Sequence, residues 1–128
     1  MRNVIRSFFV AAGLCLAGLA TFAGELPYNK AAFDKALAAG EPVVVDFAAS
    51  WCPTCKAQKP VVQSLLAEPQ RKVLTVFVAD FDTEVALKKQ LNVTMQSTLI
   101  AFKAGKEVAR STGQTGKGEL GALLDKAL

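Results

Sequence analysis

The apolar positions of the chain fall into two patterns, one typical of helices and one typical of buried strands. Apolar residues spaced by three and four follow Asn29, which can cap a helix, and stop before Gly40, which can end one. The next run, Val43 to Ala48, is rich in β-branched residues and apolar on both faces. These patterns predict a helix and then a strand buried between two layers, with Asp46 as its one charge.

The rest of the chain continues this alternation. The further predicted elements are a helix over 52–67, a strand over 73–79, a short helix over 84–91, hairpin strands over 98–102 and 107–112, and a last helix ending near 127. Strands separated by helices imply a sheet with a parallel part, and the closing hairpin adds an antiparallel edge. The sequence therefore predicts a three-layer α/β/α sandwich with a mixed central sheet.

The first residues have a different character. Arg2 and Arg6 precede an apolar run without charge, and Thr21-Phe22-Ala23 then offers small residues for cleavage. This order is typical of a secretory signal peptide, so we expect a signal peptide over 1–23, export to the periplasm and one domain over 24–128. An uncleaved membrane anchor is the alternative, because the uncharged stretch 7–24 has 18 residues, at the lower limit of a membrane span.

Composition removes several functional classes. The 15 basic and 11 acidic residues are dispersed, so the charge gives no support to nucleic-acid binding. The sequence has no histidine, which excludes a Ser-His-Asp triad, a Cys-His pair and every zinc site that uses histidine. We expect no cofactor and no resident metal, and a monomeric protein.

Cys52 and Cys55 are the cysteines that remain if the signal peptide is removed with Cys15. A disulfide that closes so short a loop adds little stability, so the pair is expected to serve chemistry. At the start of a helix, unpaired N–H groups and the helix dipole stabilise a thiolate on Cys52. We expect an exposed Cys52 to attack a substrate disulfide and a more enclosed Cys55 to resolve the mixed disulfide.

Two other uses of the pair stay open from the residues alone. Two thiolates can hold a soft monovalent copper ion, or can share a zinc ion with a second copy of the chain. The pair can also be a structural disulfide in an interaction module without redox activity.

The segment Val44 to Pro60 resembles the active-site segment of the thioredoxin family. The resemblance rests on Trp51-Cys52-Pro53-Thr54-Cys55-Lys56, on Asp46 six residues before the first cysteine, and on Pro60. It extends to the hairpin that begins at Thr98 and to Gly113 before the last helix. The chain is most similar to exported members, such as the periplasmic thioredoxin-like domain of membrane thiol-disulfide interchange proteins.

The resemblance implies roles for further residues. Asp46 would relay a proton to or from Cys55, and Trp51 would shield the site. Substrate binding or site shaping would fall on the following residues: Trp51, Pro53, Thr54, Lys56, Gln96, Ser97, Thr98 and Gly113. Protein dithiols and disulfides would be the substrates. A reductant in the periplasm needs electrons from across the membrane, so a membrane electron donor is an implied partner.

Ser97 is the largest departure from the family. Thioredoxins carry a cis-proline directly before the threonine that matches Thr98. A cis bond without proline costs about 2.5–4 kcal/mol, so we expect a trans bond between Gln96 and Ser97, near the cysteines, and weaker docking of generic substrates. A second departure is Val78, which stands where thioredoxins often place a lysine opposite the buried aspartate. Without that cation, burial should raise the pKa of Asp46 further.

Overall fold

The computed structural model describes residues 24–128, and the predicted signal peptide, residues 1–23, lies outside the described residues. The strands are β1 (Gly24–Pro27), β2 (Val43–Ala48), β3 (Thr75–Asp80), β4 (Thr98–Lys103) and β5 (Lys106–Thr112). The helices are α1 (Lys30–Ala38), α2 (Pro53–Leu66), α3 (Val85–Gln90) and α4 (Lys117–Lys126), with a short 3-10 helix, Pro69–Arg71, before β3. No helix in residues 24–128 combines the length and the apolar character needed to cross a membrane.

The five strands form one sheet in the order β1-β3-β2-β4-β5. Strands β1 and β2 each run parallel to β3, whereas β4 runs antiparallel to both β2 and β5. The predicted mixed sheet with an antiparallel edge is therefore confirmed. Strand β1 was not predicted, because it has only four residues, none of them β-branched, and it pairs on one side alone.

Side chains of β2 enter two separate cores. Val45 and Phe47 lie in a cluster with Phe33 of α1 and Leu87 of α3. Val44 faces the other way and lies in a second cluster, whose helical members are Val62 and Leu65 of α2 and Leu120, Leu123 and Leu124 of α4. Helices thus cover both faces of the sheet, which confirms the three-layer sandwich.

Local sequence determines where the helices begin. The Asn29 side chain accepts a hydrogen bond from the Ala32 N–H at 2.9 Å, as expected of the cap of α1. Helix α2 begins at Pro53, where the missing N–H of proline costs nothing, and Cys52 is its N-cap. Pro60 lies inside α2.

Phe33 provides a test of the first core, because its ring is fully buried and lies 5.8 Å from the Phe77 ring and 5.6 Å from the Phe102 ring, centroid to centroid. Phe33→Ala should lower the free energy of unfolding by about 3–5 kcal/mol, measured by urea denaturation. The control is Val73→Ala, since Val73 is 66% exposed and should change stability by less than about 0.5 kcal/mol. Equal losses in the two variants would contradict this description of the core.

Candidate active site

The turn that follows β2 brings Cys52 to the start of α2. The backbone N–H of Cys52 donates to the carbonyl oxygen of Ala49 at 3.2 Å, and the Cys52 Sγ accepts the N–H of Cys55 at 3.1 Å. The first-turn N–H groups of a helix have no partner within the helix, so a sulfur used as the N-cap receives a donor that favours negative charge. The structure thus gives Cys52 the helix-start position that the sequence predicted.

Cys52 and Cys55 form a disulfide, with their Cα atoms 5.3 Å apart. Both residues are buried: Cys52 is 1% exposed and Cys55 is 7% exposed. The prediction that the first cysteine would be the exposed one is therefore wrong for this oxidised form. The pair packs with the buried Ala49 and against Phe81, and a side chain from a distant loop covers both sulfurs.

That side chain belongs to Ser97, whose Oγ lies 3.1 Å from the Cys52 Sγ and 3.1 Å from the Cys55 Sγ. Residues 24–128 contain no cis peptide bond, so the bond between Gln96 and Ser97 is trans, as predicted. The sequence did not indicate that Ser97 would have φ = 59°, in the left-handed region that residues with a side chain rarely adopt. Ser97 is 3% exposed.

Backbone hydrogen bonds hold Ser97 in this conformation. Its N–H donates to the Phe47 carbonyl oxygen at 2.8 Å. Its carbonyl oxygen accepts the Gly113 N–H at 3.0 Å and the Gln58 side-chain amide at 3.3 Å. Gly113 has φ = 77°, a conformation that glycine adopts without strain. Its hydrogen bond to Ser97 places Gly113 near the site, as predicted.

Thr98 stabilises the loop from its other end. Its hydroxyl lies 2.7 Å from the Met95 carbonyl oxygen, to which it donates, and 2.9 Å from the Thr112 hydroxyl. Gln96 is half-buried between these anchors. The structure therefore brings Ser97 to the cysteine pair, with Gln96 and Thr98 as its neighbours in the same loop.

Gln58 is a site residue that the sequence reasoning missed. It is 1% exposed and donates through Nε2 to the carbonyl oxygens of Ser97 and Gln114, the latter at 2.7 Å. Its Oε1 has no hydrogen-bond partner among the described residues. A signal was present, because Gln58 is the polar member of the buried face of α2 and lies three residues after Cys55.

Asp46 lies in β2 opposite Val78 of β3 and is 6% exposed. Its Oδ1 has no hydrogen-bond partner within residues 24–128. Burial raises the pKa of Asp46 to about 7, with a smaller contribution from the negative charge of Glu25. The raised pKa agrees with the prediction from the sequence, which had not identified Glu25.

A cavity of about 490 Å³ is lined by both Asp46 and Cys55. Charged side chains that also line it include those of Glu25, Lys56 and Lys59. A carboxyl group with a pKa of about 7 can both accept and donate a proton at neutral pH. The two groups of the predicted proton relay therefore face the same cavity, and the relay itself stays a prediction.

Three other predicted site residues, Trp51, Pro53 and Thr54, are exposed or half-buried beside the cysteine pair in sequence. Trp51 is 54% exposed, and its Nε1 donates to the Asp82 carboxylate at 2.8 Å, so its ring is anchored at the surface. Pro53 is the exposed first residue of α2, and Thr54 follows it half-buried. In the described part of the chain, no three carboxylate, thiolate or imidazole groups lie close enough together to hold a metal ion.

The raised pKa of Asp46 predicts a pH-dependent stability. Because the folded-state value of about 7 exceeds the ordinary value of 3.8, folding favours the protonated form. Wild-type stability should therefore fall as pH rises from about 4 to about 8, by up to about 4 kcal/mol. Asp46→Asn should lack this fall and be the more stable protein at pH 8, measured by urea denaturation at each pH.

The same experiment has a matched control in Glu25→Gln. Removing that charge should reduce the pH dependence without abolishing it, since burial is the larger cause of the raised pKa. In Asp46→Asn the resolving step of thiol exchange should also slow. A variant that loses stability at pH 8 and keeps wild-type kinetics would show that Asp46 is structural only.

Ser97→Pro should destabilise the protein. Proline fixes φ near −65° and has no N–H, whereas Ser97 has φ = 59° and donates to the Phe47 carbonyl oxygen. We expect a loss of more than about 1 kcal/mol in the free energy of unfolding, from urea denaturation of the oxidised protein. A variant at least as stable as wild type would show that this loop is free to adopt another conformation.

The sequence and the structure were compared with those of known proteins, and the matches are to thioredoxins. The sequence model of the Thioredoxin family matches residues 25–126. Over 84 residues the chain is 40% identical to the thioredoxin of Chlamydia trachomatis, covering 66% of this chain and 80% of that protein. It is 39% identical over 88 residues to the bifunctional thioredoxin reductase/thioredoxin of Mycobacterium leprae, covering 69% of this chain and only 19% of that protein.

Among solved structures, Trxlp from Edwardsiella tarda superposes with a TM-score of 0.77 at 44% identity, covering 79% of this chain and 98% of that one. The family match spans β2, the cysteine pair, the Ser97 loop and α4. The chain therefore belongs to the thioredoxin family and is a thiol–disulfide oxidoreductase whose redox group is the Cys52–Cys55 pair.

Proposed function

We propose that this protein is an exported, periplasmic oxidoreductase that exchanges its Cys52–Cys55 dithiol with disulfides of protein substrates. The observation that carries the proposal is that the two sulfurs have different numbers of hydrogen-bond donors nearby. Cys52 Sγ is within hydrogen-bonding distance of two donors, the Cys55 N–H and the Ser97 hydroxyl. Among the described residues, Cys55 Sγ has one such donor, the Ser97 hydroxyl. The better-stabilised thiolate is Cys52, so Cys52 is the attacking sulfur and Cys55 the resolving one.

The reaction proceeds in two exchanges. The Cys52 thiolate attacks one sulfur of the substrate disulfide; a bond forms between Cys52 and that sulfur, and the other substrate sulfur leaves with the electron pair and takes up a proton. The Cys55 thiolate then attacks Cys52 Sγ, which closes the internal disulfide and releases the second substrate sulfur as a thiol. The substrate gains two electrons and two protons, and the protein pair is oxidised.

Asp46 supports the second exchange. Cys55 must lose its proton before it attacks, and Asp46 lines the same cavity as Cys55. With a pKa of about 7, the Asp46 carboxyl group accepts that proton and returns it to solvent. In the oxidising direction the same group supplies a proton to Cys55 as it leaves.

Export and partners form the finer part of the proposal. The charged, apolar and small-residue segments of 1–23 support cleavage after Ala23 and release into the periplasm. That compartment is held oxidising, so reduction of substrates there requires a membrane protein that supplies electrons to the Cys52–Cys55 disulfide. We propose that the protein acts as a monomer on protein disulfides.

Cys55→Ser should trap substrates. Without a resolving thiol, the mixed disulfide at Cys52 persists, so Cys55→Ser should accumulate covalent complexes that dithiothreitol releases. The measurement is non-reducing electrophoresis of the variant after incubation with a disulfide-containing protein. Cys52→Ser is the matched control and should trap little. The reverse pattern, with Cys52→Ser trapping substrates, would contradict the assignment of the two roles.

The full-length chain should be exported and cleaved. Expressed in a bacterium with two membranes, it should be recovered from the periplasmic fraction with Gly24 as its first residue, as shown by intact-mass measurement. Leu16→Arg, which places a charge in the apolar run, should keep the uncleaved chain out of that fraction. Recovery of wild type from the cytoplasm with residues 1–23 intact would contradict export.

A further inference from the structure

We propose that Ser97 is a catalytic residue, whose hydroxyl donates a hydrogen bond to whichever sulfur of the Cys52–Cys55 pair carries negative charge. The inference rests on the thiol–disulfide exchange proposed above and assigns a chemical role to a residue treated so far as shaping the site. It starts from geometry: one oxygen lies at 3.1 Å from both sulfurs.

The position of the hydroxyl suits both exchanges. Within residues 24–128 a backbone N–H donates to the Cys52 Sγ, that of Cys55, and none donates to the Cys55 Sγ. The Ser97 hydroxyl can rotate about its C–O bond and direct its hydrogen to either sulfur without moving the backbone. It is thus placed to stabilise the Cys52 thiolate before attack and the Cys55 thiolate when Cys55 attacks or leaves.

The site makes such a hydrogen bond strong. Ser97 is buried, so little water competes for its hydroxyl hydrogen. A hydrogen bond to an ionised group is about twice as strong as one between neutral groups, and a disulfide sulfur is only a weak acceptor. The Ser97 hydroxyl therefore stabilises the reduced, ionised pair more than the disulfide.

The surrounding structure holds the hydroxyl in place. Ser97 keeps a left-handed backbone, with φ = 59°, that serine rarely adopts. Three hydrogen bonds keep its backbone there. The Ser97 N–H donates to Phe47, and the Ser97 carbonyl oxygen accepts from Gly113 and Gln58. Unfavourable backbone conformations held by their surroundings are frequent at functional sites. Gln58 is thus a positioning residue that acts through the Ser97 carbonyl oxygen.

No bond to Ser97 forms or breaks in either exchange. Electrons pass from the attacking thiolate into the new sulfur–sulfur bond, and the leaving sulfur takes the pair of the old one. The Ser97 hydroxyl donates to the charged sulfur throughout and keeps its proton, so the balance of the two exchanges stays as written above.

The test measures the equilibrium between the protein and a glutathione redox buffer at pH 7, with the fraction of reduced Cys52–Cys55 pairs read from thiol alkylation and intact mass. Ser97→Ala removes the hydroxyl and keeps the backbone preference of a residue with a side chain. The equilibrium constant for reduction of the pair by glutathione should fall about tenfold, which corresponds to a reduction potential about 30 mV lower. In Ser97→Gly, where glycine tolerates φ = 59° freely, the same equilibrium constant should fall by a similar factor.

Ser111→Ala is the control, because the Ser111 hydroxyl has no hydrogen-bond partner among the described residues and lies on β5, opposite Leu99. Its equilibrium constant should stay within twofold of wild type. A folded Ser97→Ala or Ser97→Gly variant with an unchanged constant overturns the role of Ser97 and leaves the exchange function intact. An equal fall in Ser111→Ala also overturns it. A wild-type pair that never equilibrates with glutathione overturns both proposals.

Discussion

Strand β2 lies at the centre of the sheet and is buried on both faces from Val43 to Phe47. Its side chains alternate between two apolar cores, so a shift by one residue would move each set of side chains into the opposite core and Asp46 to the opposite face of the sheet. This fixed register places Asp46 in an apolar layer, where burial raises its pKa. It also sets the point at which the chain leaves the sheet and turns into α2 with Cys52 as the cap.

The antiparallel pairing of β4 with β2 brings Ser97, which precedes β4, to the cysteine pair, which follows β2. Phe47 near the end of β2 lies opposite Thr98 at the start of β4, so the residue before β4 meets the turn that carries the cysteines. The Phe47 carbonyl oxygen then accepts the Ser97 N–H, and the Ser97 hydroxyl lies 3.1 Å from each of the two sulfurs. Sheet topology thus joins segments that are 45 residues apart in sequence.

Much of this arrangement was predictable from the sequence because it depends on local patterns. The apolar run of β2 indicated burial on both faces and hence a raised pKa for Asp46, and the resemblance of the segment around Cys52 and Cys55 to the thioredoxin family indicated a redox pair beside that carboxyl group. The trans bond before Ser97 followed from the energy of the peptide bond alone. These features require no knowledge of which loops meet.

The features that were missed depend on tertiary contacts. The exposure of Cys52 was predicted from its helix-start position, but Ser97 from a distant loop covers both sulfurs. The four residues of β1 carry too weak a pattern to indicate a strand, so the approach of Glu25 to Asp46 could not be anticipated. Gln58 interrupts an apolar helix face, yet its partners, the carbonyl oxygens of Ser97 and Gln114, come from the far end of the chain.

The central claim is that the Cys52–Cys55 pair is a reversible redox group that acts on protein disulfides, and a stoichiometric single turnover tests it most directly. Fully reduced protein is mixed with an excess of a disulfide-containing protein, and the thiols of both are counted by alkylation and mass measurement. The account predicts that each molecule forms one Cys52–Cys55 disulfide and reduces one substrate disulfide to two thiols. A pair that stays reduced while substrate disulfides remain intact would contradict it.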